Sequence, residues 1–261
     1  MKKLFAIIAC VAAISTLCLF SGCSGEAKVL YKLNDDGTYT LSGVSGNKNK
    51  LEKYEIPATY SEDGVNYAPV TKIGERAFYG CNYLSEVVIP DSVTYIDNLA
   101  FTLCAFEEIT IPDSVTGISW SAFAMCSQLR EITIPESVEE IGTKAFYSCS
   151  KLEKVVIKAP IKNILMDTFS NSYATGTQVY MNTSMTEVYL PATVEKIHYK
   201  AFDGNFFLSD IYFAGTEEQW NKIKFYKTVK SESDADGYEE VACTFAETFV
   251  SKPEVHFNSS F

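Results

Sequence analysis

One phrase of sequence recurs along most of the chain, at intervals of 22 or 23 residues. The stretch AFYGCNYLSEVVIPDSVTYI at 77–96 is followed by AFTLCAFEEITIPDSVTGI at 100–118 and AFAMCSQLREITIPESVEEI at 122–141. One phenylalanine marks each unit, and only the last interval is longer, in the series Phe78, Phe101, Phe123, Phe146, Phe169 and Phe202. Apolar residues held at fixed offsets over a period in the low twenties predict a solenoid, in which each unit buries its apolar side against its neighbours.

The pattern L-x-x-V-x-I-x-x-S-V, which begins at Leu84 in the first full copy, recurs in the other units with substitutions. Its alternation predicts a short strand on which Val87 and Ile89 point inward while Val88 points outward. Stacking the units pairs these strands into one parallel ribbon, with about 4.8 Å between neighbouring strands. The inward residues then form a continuous core, and the repeated phenylalanines fill the far side of each coil.

The phrase I-G-x-x-A-F-x-x-C-x-x-L-x-x-I-x-I-P-x-S-V resembles the BspA-type leucine-rich repeats of bacterial surface proteins, over about residues 56–225. The resemblance implies a right-handed leucine-rich repeat superhelix of the α/β type. Its concave face would carry the parallel β-ribbon, and its convex side would carry short helices or turns. The last two units depart from the pattern, because Ser172 and Asn205 stand where the earlier units have cysteine.

The first 22 residues have the layout of an export signal. Lys2 and Lys3 precede an apolar run from Leu4 to Phe20, and small residues follow it. The ending Phe20-Ser21-Gly22-Cys23 resembles the lipobox of bacterial lipoproteins, in which the cysteine is lipidated and becomes the new N-terminus. The expectation is a lipoprotein signal peptide over 1–22, lipidation at Cys23, and a chain anchored to the outer face of a bacterial membrane. An uncleaved membrane anchor and plain secretion are the alternatives.

The segments on either side of the repeats are predicted to cap the solenoid. An alternating sequence around Asp36-Gly37 predicts a β-hairpin at 29–44, within an N-terminal cap that covers residues 23–55. An insertion of ten residues, near 172–181, accounts for the long interval before Phe202.

The C-terminal segments are predicted to close the other end. Thr216 and Gln219 form a capping-box pattern ahead of Trp220, which predicts a short helix that covers the last coil. Residues 226–261 are assigned to a C-terminal cap or tail. Its stretch 226–251 is polar and looks irregular, and Val255–Phe257 adds a final strand.

The charge and the motifs limit the classes of function. A formal net charge of −11 disfavours nucleic acid and anionic membrane surfaces as partners, so the expected membrane contact is the lipid anchor alone. The sequence contains no HExxH, GxSxG, P-loop or GxGxxG motif, and its two histidines, His198 and His256, have no nearby acid–nucleophile arrangement. We therefore expect no enzyme, no cofactor and no metal site. An acidic stretch at 232–240 resembles the start of a calcium loop, but Cys243 stands where the final glutamate belongs.

Four cysteines recur with the repeat, at Cys81, Cys104, Cys126 and Cys149. Their spacing matches no metal-binding motif. They are interpreted as buried free thiols of the repeat interior, with disulfides between adjacent coils as the alternative in an exported protein.

Two columns of outward residues follow the ribbon, and together they are called the ribbon face. The outer column is acidic at five of its six positions: Glu86, Glu108, Glu131, Lys154, Glu187 and Asp210. The central column ends in two tyrosines: Val88, Thr110, Thr133, Val156, Tyr189 and Tyr212. The ribbon face is either ordinary solvated strand surface or the surface that recognises a partner.

The resemblance implies a non-catalytic binding or adhesion protein at the cell surface. Its partner would be a host protein, a matrix protein or another cell. The alternative is a carbohydrate-binding surface module, for which Tyr189, Tyr212 and the acidic outer column would supply stacking and contacts with sugar hydroxyls.

Overall fold

The computed structural model describes residues 25–175, 178–181, 184–230, 238–249 and 251–261. Within these residues the strands are β1 Lys28–Leu33, β2 Tyr39–Ser45, β3 Lys53–Glu55, β4 Thr59–Tyr60, β5 Ala68–Ile73, β6 Glu86–Val88, β7 Tyr95–Ile96, β8 Gly117–Ile118, β9 Glu131–Ile134, β10 Glu140–Ile141, β11 Lys154–Ile157, β12 Asn163–Ile164, β13 Ser172–Thr175, β14 Gln178–Met181, β15 Glu187–Leu190, β16 Lys196–His198, β17 Asp210–Phe213, β18 Lys224–Lys230, β19 Tyr238–Ala242 and β20 Glu254–His256. The helices are a 3-10 turn at Lys48–Lys50, α1 at Glu217–Trp220 and α2 at Phe245–Thr248.

The predicted parallel ribbon is present, but in two separate pieces and not as one continuous ribbon. Strands β9, β11, β15, β17 and β20 pair in chain order, each parallel to the next. Strands β3 and β6 form a separate parallel pair nearer the N-terminus. Along each strand the inward residues are buried and the outward residues are not, as for Val155 and Ile157 against Lys154 and Val156. The alternation in the sequence therefore predicted the two sides of the ribbon, because side chains of a strand alternate between its faces.

Each repeat also contributes a second short strand. Strands β5, β7, β8 and β10 form one parallel ladder, and β12, β16 and β18 form another. They hold in register the isoleucines that precede each phenylalanine by five residues, such as Ile96 beside Ile118. This second set of strands was not predicted, because β7, β8, β10, β12 and β16 are two or three residues long and too short to show an alternating pattern.

A stack of phenylalanine rings fills the centre of the coils. The six rings that mark the repeats lie parallel, with centroids 5.2–5.5 Å apart and interplanar angles of 13° or less. Phe249 extends the stack from the C-terminal side at 5.3 Å, and Tyr54 meets its other end at 6.0 Å. Because one ring contacts the next in the neighbouring coil, the stack fixes the spacing of the repeats at their interior.

Turns, and no helices, connect the two strands of each repeat. Between Ile56 and Phe213, the described residues contain no helix. The turns place backbone N–H groups of one coil on carbonyl oxygens of the next, as from Phe101 to Ala122 at 2.7 Å and from Phe123 to Ala145 at 2.8 Å. The solenoid is thus confirmed as a leucine-rich repeat fold with turns on its convex side. The right hand of its superhelix stays a prediction.

The caps and the insertion also form regular secondary structure. Strands β1 and β2 pair antiparallel around Asp36-Gly37, and the insertion near 172–181 forms the antiparallel pair β13 and β14. The capping box of Thr216 and Gln219 is present, and it starts α1. The expectation of an irregular stretch at 226–251 was wrong for its described part, because β18 pairs antiparallel with β19 and α2 follows.

The C-terminal segments continue three features of the repeats, namely the ladder of short strands, the ribbon and the ring stack. Strand β18 extends the ladder of short strands, β20 extends the ribbon, and Phe249 extends the ring stack. Trp220 is buried and lies edge-to-face on Phe213 at 5.3 Å. A cap of this kind covers the apolar end that an unstacked repeat would expose to water.

Candidate functional site

The ribbon face is a continuous surface only in the C-terminal half of the solenoid. The register places Lys154 beside Glu131 and Glu187, and it places Tyr189 beside Tyr212. Strand β20 adds one more step, with Glu254 beside Asp210 and His256 beside Tyr212. The final strand was predicted at Val255–Phe257, but its place beside β17 was not, because the segment carrying β20 lacks the repeat pattern.

The ribbon is interrupted at the second repeat. The first repeat has two residues between Cys81 and Leu84, whereas the second has one residue between Cys104 and Phe106. The segment 108–111 is not a strand, and among the described residues its backbone forms no hydrogen bond with β6 or β9. One missing residue therefore removes this segment from the ladder, because a parallel ladder needs its hydrogen-bonding groups in register.

Side chains of the ribbon face differ in their solvent exposure. Glu86, Glu108 and Glu131 of the outer column are exposed, and so are Val88, Thr110 and Thr133 of the central column. The remaining members are half-buried: Lys154, Val156, Glu187, Tyr189, Asp210 and Tyr212. The N-terminal half of the face is therefore the part most open to a partner.

The aromatic end of the ribbon face is occupied by contacts within the chain. Tyr189 stacks on Tyr212 at 4.4 Å, and Tyr212 stacks on His256 at 4.7 Å. The ammonium of Lys154 lies 4.9 Å from the centre of the Tyr189 ring, and Phe261 meets that ring edge-on. These rings thus present few open faces, whereas stacking on a sugar needs an open face.

Tyr189 is a poor proton donor at neutral pH. Its hydroxyl donates to Glu187 Oε2 at 3.0 Å. Desolvation and the hydrogen bond to this carboxylate raise the pKa of Tyr189 to about 12. The phenol therefore stays protonated and acts as a hydrogen-bond donor within the chain.

Asp210, Glu254 and His256 form the one group in the described part of the chain whose ligand atoms could hold a metal ion. Their ligand atoms lie within 4.8 Å of one another. His256 Nε2 lies 2.7 Å from Asp210 Oδ1, and Ser209 Oγ donates to Asp210 Oδ2 at 2.6 Å. The bonds from Ser209 and His256 hold the pKa of the Asp210 carboxyl below its usual range. A cation at this position has to displace the contact between Asp210 and His256.

Three of the five carboxylates of the outer column contact a basic side chain. Glu86 pairs with Lys53, Glu187 with Lys154 at 3.8 Å, and Asp210 with His256. Glu108 and Glu131 form no ion pair within the described residues. Uncompensated negative charge of the outer column is therefore concentrated at the second and third repeats.

An open groove lies at these two repeats, with a volume of about 710 Å³. Its lining contains Glu108, Thr110, Glu131 and Thr133 from the ribbon face, over a floor that includes Ile109, Ile111 and Pro135. Asp113, Glu136 and Lys158 complete its charged lining. The groove was not predicted, because it lies where segment 108–111 leaves the ribbon and is not marked by any motif.

The four repeat cysteines are buried free thiols, as interpreted from the sequence. The thiols of Cys104, Cys126 and Cys149 donate to the carbonyl oxygens of Phe78, Phe101 and Phe123, each in the preceding coil, at 3.1–3.4 Å. Burial raises the pKa of Cys126 well above its ordinary value and that of Cys149 to about 12. Such thiols are poor nucleophiles and poor metal ligands, because both roles need the thiolate.

Thiol labelling checks this assignment. In folded protein spanning residues 25–261, we expect a disulfide-exchange reagent to react quickly with the half-exposed Cys243 and to leave the four buried thiols unmodified. All of them should react after denaturation without reductant. Cys243→Ser is the control and should abolish the fast reaction. Buried thiols that stay unreactive in denaturant would contradict the assignment and indicate disulfides.

His198 is a core residue and not a catalytic base. Its side chain is buried, its Nδ1 accepts from the Lys200 N–H at 3.2 Å, and its Nε2 is buried without a hydrogen-bond partner. The ring packs edge-on against Tyr226 at 5.1 Å. Burial and the charge of Lys200 lower the pKa of His198 below 6.5.

Lowering the pH should therefore destabilise the protein through His198. The unfolded state binds a proton near pH 6.5, whereas the folded state resists it, so this contribution to stability is lost as the pH falls below that value. We expect the melting temperature to drop between about pH 7.5 and about pH 5.5, and to drop less in His198→Phe. An equal drop in both proteins would contradict the assignment.

Three regions singled out in the sequence lie wholly or partly outside the described residues: the signal peptide at 1–22 with Cys23, the acidic stretch at 232–240 up to Gly237, and the centre of the insertion. Within the described part of the chain, no helix is both long and apolar enough to span a bilayer.

Comparison with known proteins gives the family. A family model described as "BspA type Leucine rich repeat region" matches in six copies, at residues 47–175 and 173–235. A leucine-rich repeat protein from Bacteroides ovatus superposes with a TM-score of 0.55 at 25% identity, over 71% of this chain and 53% of that one. The pneumococcal vaccine antigen PcpA superposes with a TM-score of 0.57 at 21% identity, over 79% of this chain and 53% of that one.

The chain spans about half the length of both of these structures. Among curated proteins, no sequence matches it. The family model covers well over half of the chain, and the solved structures share the fold. The chain belongs to the BspA-type leucine-rich repeat family.

Proposed function

We propose that this protein is a non-catalytic binding protein of the bacterial cell surface, and that its ribbon face recognises a protein partner. The observation that carries the proposal is the exposed N-terminal half of the ribbon face, where unpaired carboxylates border an open groove. Parallel ribbons of stacked repeats are extended surfaces well suited to this task.

The rest of the chain supports a binding role over a catalytic one. Leucine-rich repeats of this type are generally non-catalytic. The repeated side chains that could do chemistry, the four cysteines, are buried, and the thiols of three of them donate to backbone carbonyls. Of the two histidines, His198 is buried in the core and His256 contacts Asp210.

A protein partner is favoured over a glycan. Glycan recognition would rely on Tyr189 and Tyr212 for stacking, and contacts within the chain cover much of these rings. The exposed part of the ribbon face carries charge and β-branched side chains, which suit charge complementarity with a protein.

A binding screen tests the proposal. The purified protein is presented to a panel of host, matrix and bacterial surface proteins and, in parallel, to a glycan array. The face variant combines Val88→Arg with Thr133→Arg, and its matched control combines Val65→Arg with Thr116→Arg, all at exposed positions. We expect binding to at least one protein that the face variant loses and the control keeps. Binding to glycans alone, or equal loss in both variants, would overturn the proposal.

The location at the cell surface is part of the same proposal. Cys23 would carry the lipid, and the resemblance of residues 20–23 to a lipobox supports it. Metabolic labelling with an alkyne fatty acid tests it in bacteria that express the full chain. We expect the wild type to be labelled and to pellet with membranes, and Cys23→Ala to be unlabelled. Labelling of Cys23→Ala would contradict lipidation at this residue.

A further inference from the structure

We infer that the groove at the second and third repeats is a docking site for an extended, lysine- or arginine-bearing segment of the partner protein. This inference rests on the proposed function and narrows it to one place on the ribbon face and one partner chemistry. Three independent features of the groove lead to it: its charge, its open backbone and its shape.

The first feature is charge. Four carboxylates line the groove, from Glu108, Asp113, Glu131 and Glu136, against one ammonium from Lys158. None of these side chains forms an ion pair within the described part of the chain, whereas on either side Glu86 is paired with Lys53 and Glu187 with Lys154. A cationic partner therefore gains attraction at this position and gains little from the remainder of the outer column.

The second feature is the open backbone. Strand β9 is the last strand of its sheet, and one backbone bond, from Arg130 N–H to Glu107 O at 3.0 Å, joins its start to the preceding coil. Within the described residues, the backbone of segment 108–111 forms no hydrogen bonds with β6 on one side or β9 on the other. Backbone groups that a sheet leaves unpaired favour the addition of an extended chain, because that chain supplies the missing donors and acceptors.

The third feature is the shape and lining of the site. The volume of about 710 Å³ is open to solvent along the ribbon face, and its floor is apolar at Ile109, Ile111 and Pro135. Small hydroxyl side chains, Thr110 and Thr133, stand between the carboxylates. An extended segment with basic residues at alternate positions matches this lining, because alternate side chains of a strand point to the same side.

Fluorescence anisotropy tests the inference with a short labelled peptide of alternating lysine and threonine. A peptide of alternating glutamate and threonine is the charge control. The groove variant is Glu108→Gln with Glu131→Gln, which removes two charges and keeps the shape. Its matched control is Glu62→Gln with Glu139→Gln, which removes two exposed charges outside the groove.

We expect the basic peptide to bind the wild-type protein and the acidic peptide not to bind. The groove variant should weaken binding about tenfold, and the matched control less than about twofold, since each exposed charge pair contributes modestly. Equal weakening in both variants would overturn the inference, because it would show attraction to net charge alone. Absence of binding to the wild type would overturn it as well.

The two proposals fail differently. If the screen yields a partner whose binding is lost in Val88→Arg with Thr133→Arg but is unchanged in Glu108→Gln with Glu131→Gln, the ribbon face binds and the groove is not the site. If no partner depends on the ribbon face, the proposed function itself fails.

Discussion

Replacing Phe123 by alanine should lower the free energy of unfolding by about 3–5 kcal/mol. The ring lies fully buried between Phe101 and Phe146, stacked on each at 5.2 Å, and Phe106 meets it edge-on at 6.3 Å. Truncation removes the contacts with both neighbouring coils at once, and backbone hydrogen bonds on each side hold those coils apart. The cavity cannot collapse easily, which places the cost in the upper range for core truncations.

Chemical denaturation of the wild type and the variant measures this cost. Phe207→Ala is the control, because that ring is 59% exposed, and its truncation should change the stability by less than about 0.5 kcal/mol. Equal small effects for both variants would show that the ring stack does not hold the coils together.

Asn205→Ala is expected to have the second large effect, a loss of about 2–4 kcal/mol. The side-chain amide donates to the carbonyl oxygens of Phe169 and Phe202, at 2.9 and 2.8 Å. The residue is buried, so alanine leaves the Phe169 carbonyl without a donor and the Asn171 side-chain amide without its acceptor. The Phe202 carbonyl keeps only the longer bond from the N–H of residue 205, at 3.3 Å.

Asn205→Cys is the informative companion. Cysteine occupies this position in four earlier repeats, and in three of them its thiol donates to the phenylalanine carbonyl of the preceding coil. We expect cysteine to recover a substantial part of the stability that alanine loses. If the cysteine variant is as unstable as the alanine variant, the repeated thiols are not hydrogen-bond donors that the fold requires.

The sequence predicts the interior of this protein well because every coil needs the same interior. Phe78 and its equivalents, the buried thiols and the alternation around Val155 all appear as periodic signals, and the structure confirms each of them. The same regularity made the short second ladder hard to see, since two-residue strands such as Tyr95–Ile96 carry too few residues for a pattern.

The candidate site is predicted less well, because it arises where the repetition fails. Most of the residues predicted to point outward do so, but segment 108–111 is not a strand, and the sequence does not show which of the outward residues pair with each other. The sequestration of Tyr189 by Tyr212 depends on strand register, and that of Asp210 by His256 depends on a final strand outside the repeats. The groove depends on a one-residue shortening between Cys104 and Phe106, whose effect on the ladder is a matter of three-dimensional register.

The hydrogen–deuterium exchange footprint of a bound partner tests the central claim most directly. With a partner from the screen at saturation, we expect slower exchange at 107–113 and 131–137, where the groove and the open backbone lie. The short-strand ladder at Tyr95–Ile96, Gly117–Ile118 and Glu140–Ile141 should exchange as in the free protein. Slower exchange only in that ladder, or only in the antiparallel pairs β1–β2 and β18–β19, with no change along the ribbon face, would contradict the account.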